Sequence, residues 1–412
     1  MLFKQKSADL NKEPGYISAS DLFFLAVFSA LLIIHCIGNT SLIYQNVFWM
    51  DGMYVLKKLL YLILLIKLFF FSSYQEDEII RLLIVFLIAF GSCVGSRNFD
   101  FLELFLLAIA ARKINPRMLV TCFMVIKGTA VVATILLWRI GVLPALYYWN
   151  SDGYYNTFGF CHKNVLGSNI AFLCLAWFFL RYKKMKFTDV LLWFGIGNIL
   201  YRFSYSRSGV IMVVLISLGM YLFRRLEDIL LNIQNMRTMI SGAFLLLLLA
   251  SLLCMFFYSP SSSFWVTLDR FFTTRVQSVS YFYHEYGFSL FGQDIMFVSS
   301  MEAQLSGIAK LILDNSYIRV ILYYGLIPAV MFFYVYLKVI RSSFDRKDGA
   351  VLAGLFFLAV YGVSERYMLD VYYQFPFLIA FRYLKKTEKN AVQTKITGNR
   401  LKFTMPYQRK VK

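Results

Sequence analysis

Apolar runs long enough to cross a lipid bilayer recur along almost the whole chain, and no other feature restricts the fold as much. A bilayer core of about 30 Å needs about 20 apolar residues in a helix. Inside it every backbone N–H and C=O must be satisfied within the protein, which leaves helices or a closed barrel. The runs are continuous rather than alternating, so they read as helices. About twelve are counted: 21–38, 53–73, 79–95, a short one at 99–111, 118–138, 164–180, 188–203, 209–223, 239–258, 317–340, 349–363 and 370–384. The chain is 59% hydrophobic and 16% charged, against about 25% charged in soluble domains. The expected fold is an all-α polytopic membrane protein of about twelve transmembrane helices, one domain over 1–384. The first run follows a polar stretch without a small-x-small cleavage site and reads as a retained span.

A formal net charge of +19 raises the question of nucleic acid. The basic residues form no single arm or face. They punctuate the spans, as the positive-inside rule requires. The clusters "RYKKMK" and "RSSFDRK" and the lysine-rich tail at 385–412 then lie in the cytoplasm, with both termini. No nucleic-acid partner is implied, and the tail faces anionic lipid. "RRLEDILLNIQNMR", Arg224 to Arg237, carries Leu226, Ile229, Leu230, Ile233 and Met236 at helical spacing. It reads as a helix on the inner surface. Lys67 and Lys127 fall within spans.

Two longer loops face outward, Arg139 to Lys163 and a large extracytoplasmic loop at about 259–316. Seven arginines lie on or near that face: Arg139, Arg202, Arg207, Arg270, Arg275, Arg319 and Arg366. The positive-inside rule predicts few there. Guanidinium forks match phosphate oxygens bidentately at any relevant pH, so the excess suits a diphosphate at headgroup level. The plainer reading is pairing with acids or anchoring of span ends. Arg319 and Arg366 each have an acid nearby in sequence, Asp314 and Glu365. In the large loop the aromatics from Phe264 to Tyr283 recur at near-helical spacing, with Gly287 ending the helix and Gly292 in a turn.

"FGFCHKNVLGSN" places His162, Lys163 and Asn164 at the start of the sixth span, with Lys163 and Asn164 in its N-cap region. His162 has two readings, a group acting on substrate or an interfacial hydrogen-bonding residue. Glu285, beside His284, is a weaker candidate, and Asp314 and Asn315 read as a helix cap. Aromatics such as Tyr147, Tyr148, Trp149, Tyr154, Tyr155 and Tyr281 suit sugar stacking or, more simply, an interfacial belt. No HExxH, P-loop, GxGxxG before a helix, CxxC or spaced acidic pair occurs, so neither metal nor cofactor is indicated.

Four segments together resemble the Wzy-type polysaccharide polymerases of the O-antigen polymerase and ligase superfamily: "FGFCHKNVLGSN", "YSRSG", "TTRVQSVSYFYHEYGFSLFGQD" and "LDNSYIRVILYYGLIP". The resemblance covers about Tyr154 to Pro328. It implies a multi-pass glycosyltransferase of the bacterial cytoplasmic membrane. That enzyme joins undecaprenyl-diphosphate-linked oligosaccharide repeat units on the outer side, without nucleotide or metal, alongside a flippase and a chain-length regulator. In that reading His162, Arg207 and Arg275 carry the chemistry, with Arg202, Arg270, Asn164, Arg319, Arg366 and Glu285 binding substrate. Inversion at the sugar carbon is the simpler course, since one displacement needs no covalent carboxylate. A ligase of the same superfamily and a flippase or transporter of lipid-linked oligosaccharide stand as alternatives.

Overall fold

The computed structural model describes residues 19–44, 47–70, 76–150 and 153–384. Lys4, Lys6, Lys12 and the tail from Lys385 lie outside the described residues, as do the side chains of Tyr148, Trp149 and Tyr154.

Helices dominate. They run α1 (Ala19–Gly38), α2 (Val47–Phe70), α3 (Glu76–Ser96), α4 (Asp100–Ala110), α5 (Pro116–Arg139), α6 (Lys163–Leu180), α7 (Phe187–Ser204), α8 (Arg207–Leu230) and α9 (Met236–Phe257). The large loop holds α10 (Ser263–Phe271), α11 (Arg275–Tyr286) and α12 (Ser300–Ser306). Then come α13 (Ser316–Arg319), a π-turn (Val320–Tyr324), α14 (Leu326–Asp345), α15 (Gly349–Gly362) and α16 (Phe375–Phe381). Among the described residues seven helices are long and apolar enough to cross a membrane: α1, α3 over Glu78–Ser96, α5, α6, α8, α9 and α14. The chain is a mostly helical, multi-pass membrane protein.

Where the elements differ from expectation, local chemistry accounts for it. The fold is not purely helical, because Tyr147–Asn150 (β1) and Gly153–Asn156 (β2) pair as an antiparallel hairpin in the 139–163 loop. No separate surface helix covers 224–237. The stretch after Phe223 has no Gly or Pro, so α8 runs on to Leu230, and the chain then turns over 231–235, where Asn235 has a φ of +66°. The aromatic segment 264–283 is two helices rather than one. Thr273 and Thr274, with φ of 54° and 66°, break it, a conformation that β-branched residues adopt rarely. Asp269 accepts the backbone N–H of Gln277 at 2.8 Å across the break and so supports the first turn of α11.

Two kinds of helix explain the hydropathy. α4 and α15 are buried over nearly their whole length, so they are apolar on every side. Phe101 and Phe105 of α4 meet Phe332 of α14 and Phe377 and Phe381 of α16, and Phe377 stacks on Tyr336 at 5.7 Å. The longer helices turn leucine-rich faces outward, including Leu83 and Leu87 on α3 and Leu245, Leu246 and Leu249 on α9. Exposed apolar faces of this extent belong against lipid.

A close backbone approach joins α6 to α8. A Cβ on Gly209 would sit 2.5 Å from Cα of Gly167, and one on Gly167 would sit 2.0 Å from Ser206 Oγ. Small residues at such a crossing let two spans touch. We expect Gly209→Ala to cost about 1–3 kcal/mol through forced separation, read as a lower unfolding temperature in detergent. The loss should be larger than for an alanine at Gly195 of α7, which has open space around it.

Candidate functional site

The site lies at the end of the bundle that carries α10–α12, called here the loop end. Tyr44, just past α1, bonds Ser299 there at 3.4 Å, and Thr40 bridges to Phe160 beside the start of α6. At its centre is Glu365, between α15 and the 3₁₀ turn Arg366–Met368. Glu365 is 3% exposed.

Each of the four segments quoted above reaches this one residue. Asn164 Nδ2 donates to Glu365 Oε1 at 3.3 Å, Ser208 Oγ at 2.7 Å and Arg275 Nη2 at 2.6 Å. Ser316 Oγ donates to the Glu365 carbonyl at 2.6 Å. Asp314 stands on the far side of the guanidinium, 3.4 Å from Arg275 Nε. Burial pushes the Glu365 carboxyl up to about 7, against the pull of Arg275 and with the help of Asp314's charge. Arg275 responds in the opposite sense. Burial works against its charge, yet Glu365 and Asp314 leave its pKa raised.

Arginine–acid pairing therefore departs from the sequence neighbours. Arg319 does not pair with Asp314, nor Arg366 with Glu365; both acids serve Arg275. The reason is geometric. Glu365 is extended, with φ −142° and ψ 153°, and consecutive side chains of extended backbone point to opposite faces. Arg366 thus faces away from Glu365.

What Arg366 faces is a cavity of about 310 Å³ between α1, α2, α4, α13 and the 366–372 segment. That volume equals about ten waters and sits at the low end of ligand pockets. Arg319 lines it too. Its guanidinium stacks 4.2 Å from the Phe297 ring and donates to the Leu313 carbonyl at 3.3 Å. Lys57, Asp100, Glu103, His35, Asn39 and Asp370 complete the polar wall, with Tyr54, Tyr324 and Tyr372 among them. Lys57 is neutralised by Glu103 at 2.9 Å, and Tyr372 donates its hydroxyl to the same carboxylate. Among the described residues neither Arg319 nor Arg366 has a carboxylate at ion-pair distance, so neither charge is paired, although Arg319 spends part of its fork on the Leu313 carbonyl. Two adjoining features result, a locked ion-pair cluster around Glu365 and a polar cavity lined by two arginines without ion-pair partners among the described residues. Among the described residues no group of three His, Cys, Asp or Glu side chains is placed to hold a metal.

His162 is the N-cap of α6, a position expected for Lys163 and Asn164. Its Nδ1 accepts the Asn164 N–H at 3.1 Å. Burial holds its pKa down at about 4, in spite of Asp314's charge and with Lys310, Lys163 and Arg275 adding to the depression. His162 is thus a neutral ring beside the Arg275 cluster, with its accepting nitrogen engaged by backbone. We expect His162→Ala to cost about 1 kcal/mol and His162→Asn to restore most of it, as for any N-cap, measured by thermal unfolding in detergent. Asn315 caps α13 as its sequence suggests, accepting the Ile318 N–H at 3.0 Å.

The remaining candidates lie apart from the cavity. Arg202 is exposed in the last turn of α7, Arg270 on α10 and Glu285 on α11. Arg207 is exposed at the start of α8, where its neighbour Ser208 is the residue that reaches Glu365. Sequence reasoning passed over His35, Lys57, Asp100, Glu103 and Asp370. Ionisable residues inside or bordering spans are the available signal.

No family model, curated protein or solved structure matches the chain.

Proposed function

We propose that the chain is a membrane glycosyltransferase that polymerises lipid-diphosphate-linked oligosaccharide repeat units, with twelve crossings, both termini in the cytoplasm and the loop end outside. The observation that carries this reading is the convergence of the four Wzy-like segments on Glu365, beside a cavity lined by Arg319 and Arg366, neither of which makes an ion pair among the described residues. The contacting residues of those segments lie 49 to 201 residues from Glu365 in sequence, and each makes a contact there. The substrates in this reading are undecaprenyl-diphosphate-linked glycans, and the membrane is the bacterial cytoplasmic membrane.

Transfer breaks the bond from the donor sugar C1 to its phosphate oxygen, and negative charge gathers on the departing diphosphate. Arg319 and Arg366 are placed to receive it, in a confined site where fixed charges act more strongly than in water. Arg319 is held by Phe297 and Leu313, so little reorganisation is needed. Arg275 has another task. Locked to Glu365 and Asp314, it ties the large loop to α6, α8 and α15 and fixes the rim of the cavity. A transporter of the same lipid-linked substrate is the second reading. It is favoured only by the buried network in which Lys127 donates to Asn169 at 3.2 Å and Tyr373 donates to the same oxygen at 2.8 Å.

The test is purified protein in liposomes supplied with lipid-diphosphate-linked repeat units. A ladder of longer glycans supports polymerisation. Movement of unextended units across the bilayer without a ladder would replace that reading with transport. Transfer to a different acceptor lipid would replace it with ligation.

A further inference from the structure

The cavity holds a pair of side chains that none of the assignments above uses, His35 on α1 and Asp370 in the segment before α16. His35 Nε2 lies 3.7 Å from Asp370 Oδ2. The pair is built rather than incidental. Asp370 Oδ1 accepts the Tyr372 N–H at 3.1 Å, which fixes the carboxylate and directs its other oxygen towards His35. The imidazole is packed between Tyr372 and Tyr373, with ring centroids 4.4 and 5.5 Å away.

Hydrogen-bond logic sets the state of the ring. Asn39 Nδ2 lies 3.0 Å from the His35 carbonyl oxygen, which only accepts, so that atom is the amide nitrogen. The same nitrogen lies 2.8 Å from His35 Nε2. It must donate there, so Nε2 is unprotonated and the ring is neutral with its proton on Nδ1. A proton-accepting nitrogen, held at rest by Asn39, therefore borders the cavity, 3.7 Å from a carboxylate that can answer the imidazolium once it forms. Arg366 is four residues before Asp370, so one short segment presents a cation for the leaving group and an acid for the base.

We propose that His35 and Asp370 are the proton-accepting pair of this site, taking the proton of the attacking sugar hydroxyl. The inference rests on the polymerase reading above. The acceptor O–H bond breaks and its oxygen bonds to the donor C1. The C1–O bond to the diphosphate breaks, its electron pair leaving on the phosphate oxygen at Arg319 and Arg366. The proton ends on His35 Nε2, which turns from Asn39 to Asp370, and passes to water when product leaves.

Asp370→Asn and His35→Gln test it. Asparagine keeps the oxygen that accepts from Tyr372, so the turn survives while the charge is lost. Both variants are put into liposomes with lipid-diphosphate-linked repeat units. Turnover is measured at saturating substrate, and affinity for the same units is measured separately. We expect turnover to fall about 10²-fold or more, affinity to stay within about twofold, and Asp370→Glu to recover part of the rate. Turnover within about threefold of wild type in both variants overturns the pair while leaving polymerisation standing. A loss that follows affinity in parallel also overturns it, since the residues would then only shape the cavity. Wild-type protein that extends no glycan overturns the polymerase reading and this inference with it.

Discussion

Replacing Glu365 by alanine lowers stability more than any other single change at the loop end. The side chain is buried, and its Oε1 takes three donors, from Asn164, Ser208 and Arg275. Alanine leaves all three without their acceptor. It also leaves a guanidinium that cannot shed its charge, with only Asp314 at 3.4 Å to answer it. Removing one member of a buried ion pair costs about 3–5 kcal/mol. Arg275→Ala is the milder change. The abandoned Glu365 already titrates near 7 and escapes its penalty by taking up a proton. Thermal unfolding in detergent near pH 7 should rank wild type above Arg275→Ala, and Arg275→Ala above Glu365→Ala. Equal losses for the two variants would mean that Arg275, not Glu365, is the hub.

The same carboxyl sets a pH dependence with a definite sign. Its folded pKa, about 7, lies above the ordinary carboxylate value, chiefly through burial. Between those two values the folded protein holds a proton that the unfolded chain has lost, so stability falls as pH rises. The contribution is complete below the unfolded pKa and is gone once pH has passed through about 7. Glu365→Gln keeps a neutral acceptor and cannot ionise. Its unfolding temperature should therefore be flatter than the wild type's from about pH 4.5 to 7.5. A wild-type profile that rises across that window would show that Arg275 outweighs burial.

What could be read from the sequence is what the chain decides locally. The apolar runs mark the long helices, Asn315 marks the start of α13, and Gly287, with φ +63°, marks the end of α11. The excess of arginines in the sequence also points to the end that holds the Glu365 cluster and the cavity. The partners are a different matter. Asp314 and Glu365 looked like partners of Arg319 and Arg366 because they are near in sequence, but adjacent side chains rarely face each other. Arg275 comes from 90 residues away to bond Glu365, and no local pattern records that contact. The cavity wall was hidden for another reason. His35, Lys57 and Glu103 are polar residues inside apolar runs that read as spans, so averaging over a window erases them. Their cost in such a place is the signal that survives.

Arg366→Ala should separate binding of the diphosphate from upkeep of the fold. Arg319 is the poorer probe, because it is 8% exposed and stacked on Phe297, so its loss also removes packing. Arg366 is exposed to the cavity, and its guanidinium makes no ion pair among the described residues. We expect Arg366→Ala to unfold within a degree or two of wild type and yet lose about 10²–10³-fold in kcat/KM, the range seen when one donor to a developing oxyanion is removed. Most of the loss should fall on kcat, because the charge it answers is greatest as the diphosphate departs. Arg366→Lys should recover only part, since a point charge replaces the fork. A variant with wild-type kcat and a raised KM would place Arg366 on a part of the substrate that does not change charge. Full activity would move the leaving group away from this cavity, and with it the reason for two arginines without an ion-pair partner among the described residues.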